Sequence, residues 1–216
     1  MSENREYIPA LGYDWLTGFY DLAVKLTMPE KKLRRRLIDA LTLEKTDRVL
    51  EFGFGTGQNL ILAKQSSNDA EIVGLDIDPK VKAIAERKLK KANLTVPLFL
   101  YDGESFPFED ASFDKVYSSL VFHQLETAVK KSCLREIGRV LKPAGSLVIG
   151  DWGKPKSKLM RVAFYGIQLL DGFKTTDDNV KGRLPEFMTE SGFRSVEETG
   201  FINTRVGAYC FYRGVK

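Results

Sequence analysis

The sequence predicts a doubly wound α/β domain. It should hold one seven-stranded sheet, mostly parallel with an antiparallel strand near one edge, and helices on both faces. Short apolar runs bounded by turn residues alternate with amphipathic stretches of helical period, the pattern of βαβ units around a parallel sheet. The first such run ends in an acid followed by three glycines at alternate positions, RVLEFGFGTGQN over residues 48 to 59, so a ligand-holding turn is expected after strand one. With 216 residues, 43% of them hydrophobic, the chain can bury a full core as a single domain.

Residues 1–43 are expected as an N-terminal helical cap. The first 29 are rich in aromatics, with Tyr7, Tyr13, Trp15, Phe19 and Tyr20. Such a stripe suits a cap folded over the site or an amphipathic helix packed on the core. Residues 30 to 43 form a helix whose Leu33, Leu37, Ile38 and Leu41 share one face, and the basic residues between Lys31 and Arg36 read as its solvated side.

Residues 44–151 carry the core. Val49 to Phe52 is the first strand, and a helix follows from about Gln58 to Gln65. EIVGLD, Glu71 to Asp76, is a second buried strand, and Pro79 suits the first turn of the next helix, about 79 to 92. Val96 to Tyr101 is the third strand and Phe113 to Ser119 the fourth. A helix over 126 to 141 stops at Lys142-Pro143-Ala144-Gly145, before a fifth strand from Ser146 to Asp151. Residues 152–216 supply a lid segment and the terminal strands. Residues 157 to 170 are apolar enough for a helix or a greasy lid, 171 to 179 read as a loop, and a short helix ends near Glu190. Two strands, about 194 to 200 and 204 to 213, close the chain around a turn at Gly200 to Asn203, the expected source of the antiparallel strand.

Several function classes are disfavoured. Cys133 and Cys210 are too few for a disulfide framework and lack metal spacing, so two reduced thiols and a cytoplasmic setting are expected, with no metal site. The N-terminus lacks the pattern of a secretory leader, and no apolar run approaches a membrane span. A net charge of +4 is too small to argue for nucleic acid.

Ligands of open α/β sheets bind beyond the carboxyl ends of the strands, where strand order reverses. Glu51, Asp76 and Asp102 all lie at strand ends beside the Gly53–Gly57 turn. Each acid alone would pass as a helix cap; three in register with a glycine-rich turn point to a nucleoside-bearing ligand. A dinucleotide motif needs a glycine three positions after Gly55, where this chain has Gln58, and no phosphate-loop Lys-Ser/Thr pair is present. A nucleoside without pyrophosphate, with a cationic end facing Glu51, fits better.

VLEFGFGTG, GLDIDP, YDGESFPFEDASFDKVYSSLVFHQL and LREIGRVLKPAGSLVIGD, in that order across residues 48 to 151, resemble the motifs of class I S-adenosylmethionine-dependent methyltransferases. The resemblance is strongest to the group with the ubiquinone and menaquinone C-methyltransferases and many small-molecule methyltransferases. It implies a Rossmann-like sheet and S-adenosyl-L-methionine as cofactor. It places Gly53, Gly55 and Gly57 along the methionine part with Glu51 nearby, and Asp76 on the ribose hydroxyls. Ile77 would pack on the adenine and Asp102, with Gly103, would take its amino group. Ser119 and Leu120 would lie near the methionyl end and Tyr20 would reach the carboxylate. A small apolar acceptor (quinone, lipid or metabolite) is favoured by the apolar segment 157 to 170 and the aromatic N-terminus, and SSLVFHQL, standing where amino-directed nucleic-acid enzymes carry an Asn/Asp-Pro-Pro-aromatic signature, argues against that class. His123, the only histidine, is a candidate general base or a structural residue. The competing readings are an NAD-dependent oxidoreductase and a non-catalytic binder of the same cofactor.

Overall fold

The structure, a computed structural model, describes residues 28–216. The aromatic stretch and Tyr20 lie outside the described residues. Helix α1 (Glu30–Ala40) leads into β1 (Arg48–Phe52), and α2 (Gln58–Ser66), β2 (Glu71–Asp76), α3 (Pro79–Lys91) and β3 (Leu98–Leu100) follow. The chain then forms β4 (Phe113–Ser119), a 3-10 turn (Phe122–Gln124), α4 (Thr127–Val140) and β5 (Leu141–Trp152). Four short helices come next: α5 (Lys158–Ala163), α6 (Tyr165–Asp171), α7 (Phe173–Lys181) and α8 (Leu184–Glu190). Strands β6 (Arg194–Asn203) and β7 (Ala208–Val215) complete a seven-stranded sheet of order β3-β2-β1-β4-β5-β7-β6.

β7 runs antiparallel to both its neighbours, second from the edge, and every other pairing is parallel. Strand order reverses between β1 and β4, where Leu50 pairs with Val73 on one side and Val116 on the other. The crevice for a ligand should therefore open at the carboxyl ends of these two strands.

Alternation along the strands builds two cores. Leu50, Phe52 and Val116 face one layer, packed by Leu134 and Ile137 of α4 and Phe187 of α8. Val49, Ile72 and Tyr117 face the other, packed by Leu37 of α1, Leu60 of α2 and Leu89 of α3. Each fully buried leucine of this kind contributes about 1.5–3 kcal/mol relative to exposure. The start of α3 is set locally: the Asp78 carboxylate accepts the Lys80 N–H at 2.7 Å, with Pro79 in the first turn.

Five expectations are corrected. Residues 171 to 179, expected as a loop, are mostly helix α7 (Phe173–Lys181). Its buried positions are Thr176, Asp178 and Asn179, so it packs a polar face inward and shows no apolar period to read. The final turn is not at Gly200–Asn203: β6 continues to Asn203, and Thr204 accepts the Gly207 N–H on its Oγ1 at 3.0 Å to make the reversal. Gly200, at φ 145°, marks a register shift inside the strand instead. β3 is shorter than 96 to 101, and β5 begins at Leu141, directly after α4. The greasy segment 157 to 170 is broken into α5 and α6, the first capped by Ser157 Oγ accepting the Met160 N–H at 3.1 Å.

Candidate active site

The turn after β1 holds Gly53, Gly55 and Gly57 at φ of 74°, 50° and 78°, the left-handed region that side chains with a Cβ rarely adopt. At Gly53 space is also decisive: a Cβ there would stand 2.2 Å from Val121 Cγ2, just past β4. Gly55 differs, because a Cβ built on it meets no described atom within 4 Å. It faces space that the described residues leave open, just past the carboxyl end of β1.

Asp76, at the end of β2, organises this turn. Its Oδ2 accepts the Gly55 N–H at 2.8 Å, and Oδ1 accepts those of Ile77 at 2.8 Å and Asp78 at 3.1 Å. Burial raises its pKa, and these three N–H groups oppose the rise. A carboxylate has about four lone-pair sites, so Oδ2 keeps one for a ligand hydroxyl. The next two predicted residues also meet: a Cβ on Gly103 would touch Ile77 Cδ1 at 3.3 Å. Asp102 is exposed, and its Oδ1 accepts from Glu104 N at 2.9 Å and Ser105 N at 3.1 Å, which holds the carboxyl below its usual range.

Glu51 takes a different place from the one its position suggests. Its side chain is fully buried, with Oε1 accepting from Asn59 Nδ2 at 2.9 Å and Oε2 from the Tyr117 hydroxyl at 3.1 Å. Asn59 Oδ1 in turn accepts from Arg34 Nη1 at 2.6 Å, and Arg34 pairs with Glu30. Burial pushes the Glu51 carboxyl up to about 8, against the lowering effect of its hydrogen bonds. This network joins α1, β1, α2 and β4 beneath the glycine turn. The sequence pattern did not mark Asn59 or Tyr117, since single polar residues inside apolar elements carry no spacing signal, and Arg34, expected on the solvated side of its helix, turns to Asn59 and Glu30 instead.

At the end of β4, Ser119 Oγ lies 2.8 Å from the Tyr209 hydroxyl. Leu120, at φ 56°, donates its N–H to Gly150 O at 2.9 Å, bending the chain out of the sheet. The bend delivers His123 to a closed chamber. Its Nδ1 is 2.7 Å from Asp151 Oδ1, its Nε2 is 3.5 Å from Asp171 Oδ2, and all three side chains are buried. Burial alone would lower its pKa, but Asp151 and then Asp171 outweigh it and push the imidazole up to about 9. Nε2, Asp171 Oδ2 and Asn179 Oδ1 have no hydrogen-bond partner among the described residues. Asp151, a fourth acid on a strand, was legible by the rule that found the other three; Asp171 was not, because its segment read as a loop.

The sequence matches the methyltransferase domain family over residues 50–149. It is 31% identical over 159 residues to a demethylmenaquinone methyltransferase of Thermotoga maritima, a match covering 73% of this chain and 67% of that one. The chain belongs to the class I S-adenosylmethionine-dependent methyltransferase family. A demethylmenaquinone methyltransferase of Thermus thermophilus is 36% identical over 139 residues, 63% of this chain. The chain spans 62% of the length of that relative, less than two thirds. Among solved structures, a methyltransferase from Aquifex aeolicus shares the fold, with a TM-score of 0.65 and 20% identity over 88% of this chain and 94% of that one.

The donor half of a class I methyltransferase fits what the described residues offer. The gap over Gly55 is where a ligand can approach the backbone, and the spare lone pair of Asp76 beside it suits a ribose hydroxyl. Ile77 against Gly103 gives an apolar face next to an exposed acceptor, Asp102, as an adenine with an amino group requires.

Proposed function

We propose that this protein transfers a methyl group from S-adenosylmethionine to a small, mostly apolar organic acceptor. The gap above Gly55, joined by hydrogen bond to Asp76 at the point where strand order reverses, carries the reading. The two demethylmenaquinone methyltransferase relatives support a quinone-like ring as the acceptor class.

Gly53, Gly55 and Gly57 would line the methionine portion, Asp76 the ribose, Ile77 and Gly103 the adenine ring, and Asp102 its amino group. Ser119 and Leu120 would border the methionyl end, and Tyr20 is kept for the carboxylate. Glu51 acts at one remove, fixing Asn59 in the first turn of α2. Once bound, the cofactor supplies an activated sulfonium methyl; the chain's own task is to align the acceptor and exclude water. His123 serves as a positioning residue rather than a base. With its pKa near 9 the ring is an imidazolium at neutral pH, which has no lone pair to take a proton.

Heat denaturation in the presence of ligands tests the donor. At a hundredfold excess over Kd, S-adenosylmethionine should add about 2.7 kcal/mol and raise the melting temperature by several degrees. Stabilisation by NAD with none by S-adenosylmethionine would sink the reading. Turnover is then read as S-adenosylhomocysteine released with demethylated quinones against other acceptors. No release with any acceptor would leave the non-catalytic binder as the better account.

Asp76→Ala should weaken S-adenosylmethionine binding by about 10–100-fold, the scale of a lost charge-assisted hydrogen bond and a loosened turn. Calorimetric titration reads this directly. An unchanged affinity in a variant that still melts cooperatively would refute the ribose assignment.

A further inference from the structure

Residues 154 to 174, KPKSKLMRVAFYGIQLLDGFK, contain α5 and α6 and take no part in the donor half of the site. The inward positions of these helices are Phe164, 1% exposed and 5.6 Å from the Trp152 ring, and Gln168, 2% exposed and bonded to Thr176 Oγ1 at 3.1 Å. The outward positions are the greasy ones. Leu159 is 81% exposed, Val162 63%, Tyr165 45%, Leu169 76% and Phe173 49%. The spacings of three, three and four from Leu159 to Leu169 make one stripe along α5 and α6, and Phe173, past the break at Gly172, joins it with its ring centroid 6.3 Å from that of Tyr165. A surface helix of a globular protein has the opposite arrangement, and a contiguous exposed apolar stripe marks an interaction site.

Charge sits on the same stretch. Lys154, Lys156, Lys158, Arg161 and Lys174 are its basic residues and Asp171 its one acid, buried against His123. Taking these 5 from the chain's 33 basic residues and this 1 from its 29 acidic ones leaves 28 of each sign on the other 195 residues. The segment thus accounts for the whole net charge of +4. Among the described residues two of the five have acidic neighbours: Lys156 meets Glu198 at 2.6 Å, and Lys174 meets Glu126 at 2.8 Å in an exposed pair of little strength. Arg161 lies 4.1 Å from the Tyr165 ring centroid, a cation held over the stripe itself.

An apolar stripe in a lysine-rich segment suits a bilayer surface in both respects. Leucines and aromatics enter the headgroup boundary, and the cations meet anionic lipid phosphates. None of the described helices is long and apolar enough to cross a membrane. We propose that the α5–α6 face docks this protein on an anionic lipid surface, lying in the interface. A second copy docked stripe to stripe would set lysine against lysine, since the one acid of the stretch is buried against His123.

The test is co-sedimentation of the full chain with phosphatidylcholine vesicles, with and without phosphatidylglycerol. No cofactor or acceptor is present, so the result is independent of the methyl-transfer reading. The expected result is binding to the anionic vesicles that strengthens as salt is lowered. It should weaken roughly tenfold or more in Leu159→Ser with Leu169→Ser, and in Lys154→Glu with Lys158→Glu. Both variants should melt with the parent, because these side chains point away from the core. Absence of binding at low salt would overturn the proposal. So would unchanged binding in both double variants, or a dimer in sedimentation velocity that Leu159→Ser with Leu169→Ser dissolves.

Discussion

His123→Ala is expected to destabilise the fold by about 3–5 kcal/mol, the scale of breaking a buried ion pair and leaving its partner behind. The imidazole is the group that lets Asp151 and Asp171 share one buried chamber. Its Nδ1 is 2.7 Å from Asp151, its Nε2 faces Asp171 at 3.5 Å, and its backbone N–H also donates to Asp151 at 3.2 Å. Alanine keeps that N–H but strands two buried carboxylates. Adding Asp171→Asn to His123→Ala should recover part of the loss, which cavity formation alone would not allow. Urea unfolding of the two variants and the parent reads the difference. A single variant as stable as the parent would refute the ion-pair account.

The same histidine sets an alkaline limit. Its folded pKa, about 9, stands above the ordinary 6.5. The stabilisation is therefore complete below pH 6.5 and is lost as pH rises through 9. At about 1.4 kcal/mol per unit the loss is about 3 kcal/mol.

Glu51→Gln should stabilise the cofactor-free protein at pH 8 by several kcal/mol. Burial pushes the Glu51 carboxyl up to about 8 from 4.5, so the folded chain holds the acid neutral while the unfolded chain ionises it. A carboxyl raised in this way contributes most below pH 4.5, and its contribution drains away as pH rises through 8. At about 1.4 kcal/mol per unit the full drop approaches about 5 kcal/mol. Glutamine keeps the shape and has an acceptor for Asn59 and a donor for Tyr117, yet it does not titrate. Unfolding free energies should fall for the parent and stay nearly flat for the variant between pH 5 and 6.5; from pH 6.5 to 8 both fall with the histidine, the parent more steeply. Parallel curves would show that Glu51 ionises normally.

The parts of this fold that declared themselves in the sequence are those whose burial is apolar. β4 spans Phe113–Ser119 as expected, buried on both faces through Val116 and Tyr117, and α3 begins where Pro79 signalled. α7 stayed hidden because its inward face is held by polar contacts. Asp178 takes Thr127 at 2.6 Å and the buried Lys130 at 3.2 Å, and Asn179 donates to Trp152 O at 2.8 Å. The same divide runs through the site. The glycine turn and Asp76 are marked by local spacing, whereas the Glu51–Asn59–Tyr117 contacts and the His123 chamber join residues from distant parts of the chain. No window on the sequence brings Glu51 beside Tyr117, 66 positions away.

The four short helices α5 to α8 enter the chain as one uninterrupted stretch between β5 and β6. The turn residues around Asp76 are all encoded before β5. Genetic change can therefore rewrite the first group wholesale, by exchange of a single contiguous gene segment, without touching a codon of the second. A lineage built on this connectivity can exchange these helices while the glycine turn and Asp76 pass on unaltered. Chimeras joined within β5 and at the start of β6 are the natural unit for engineering such a change.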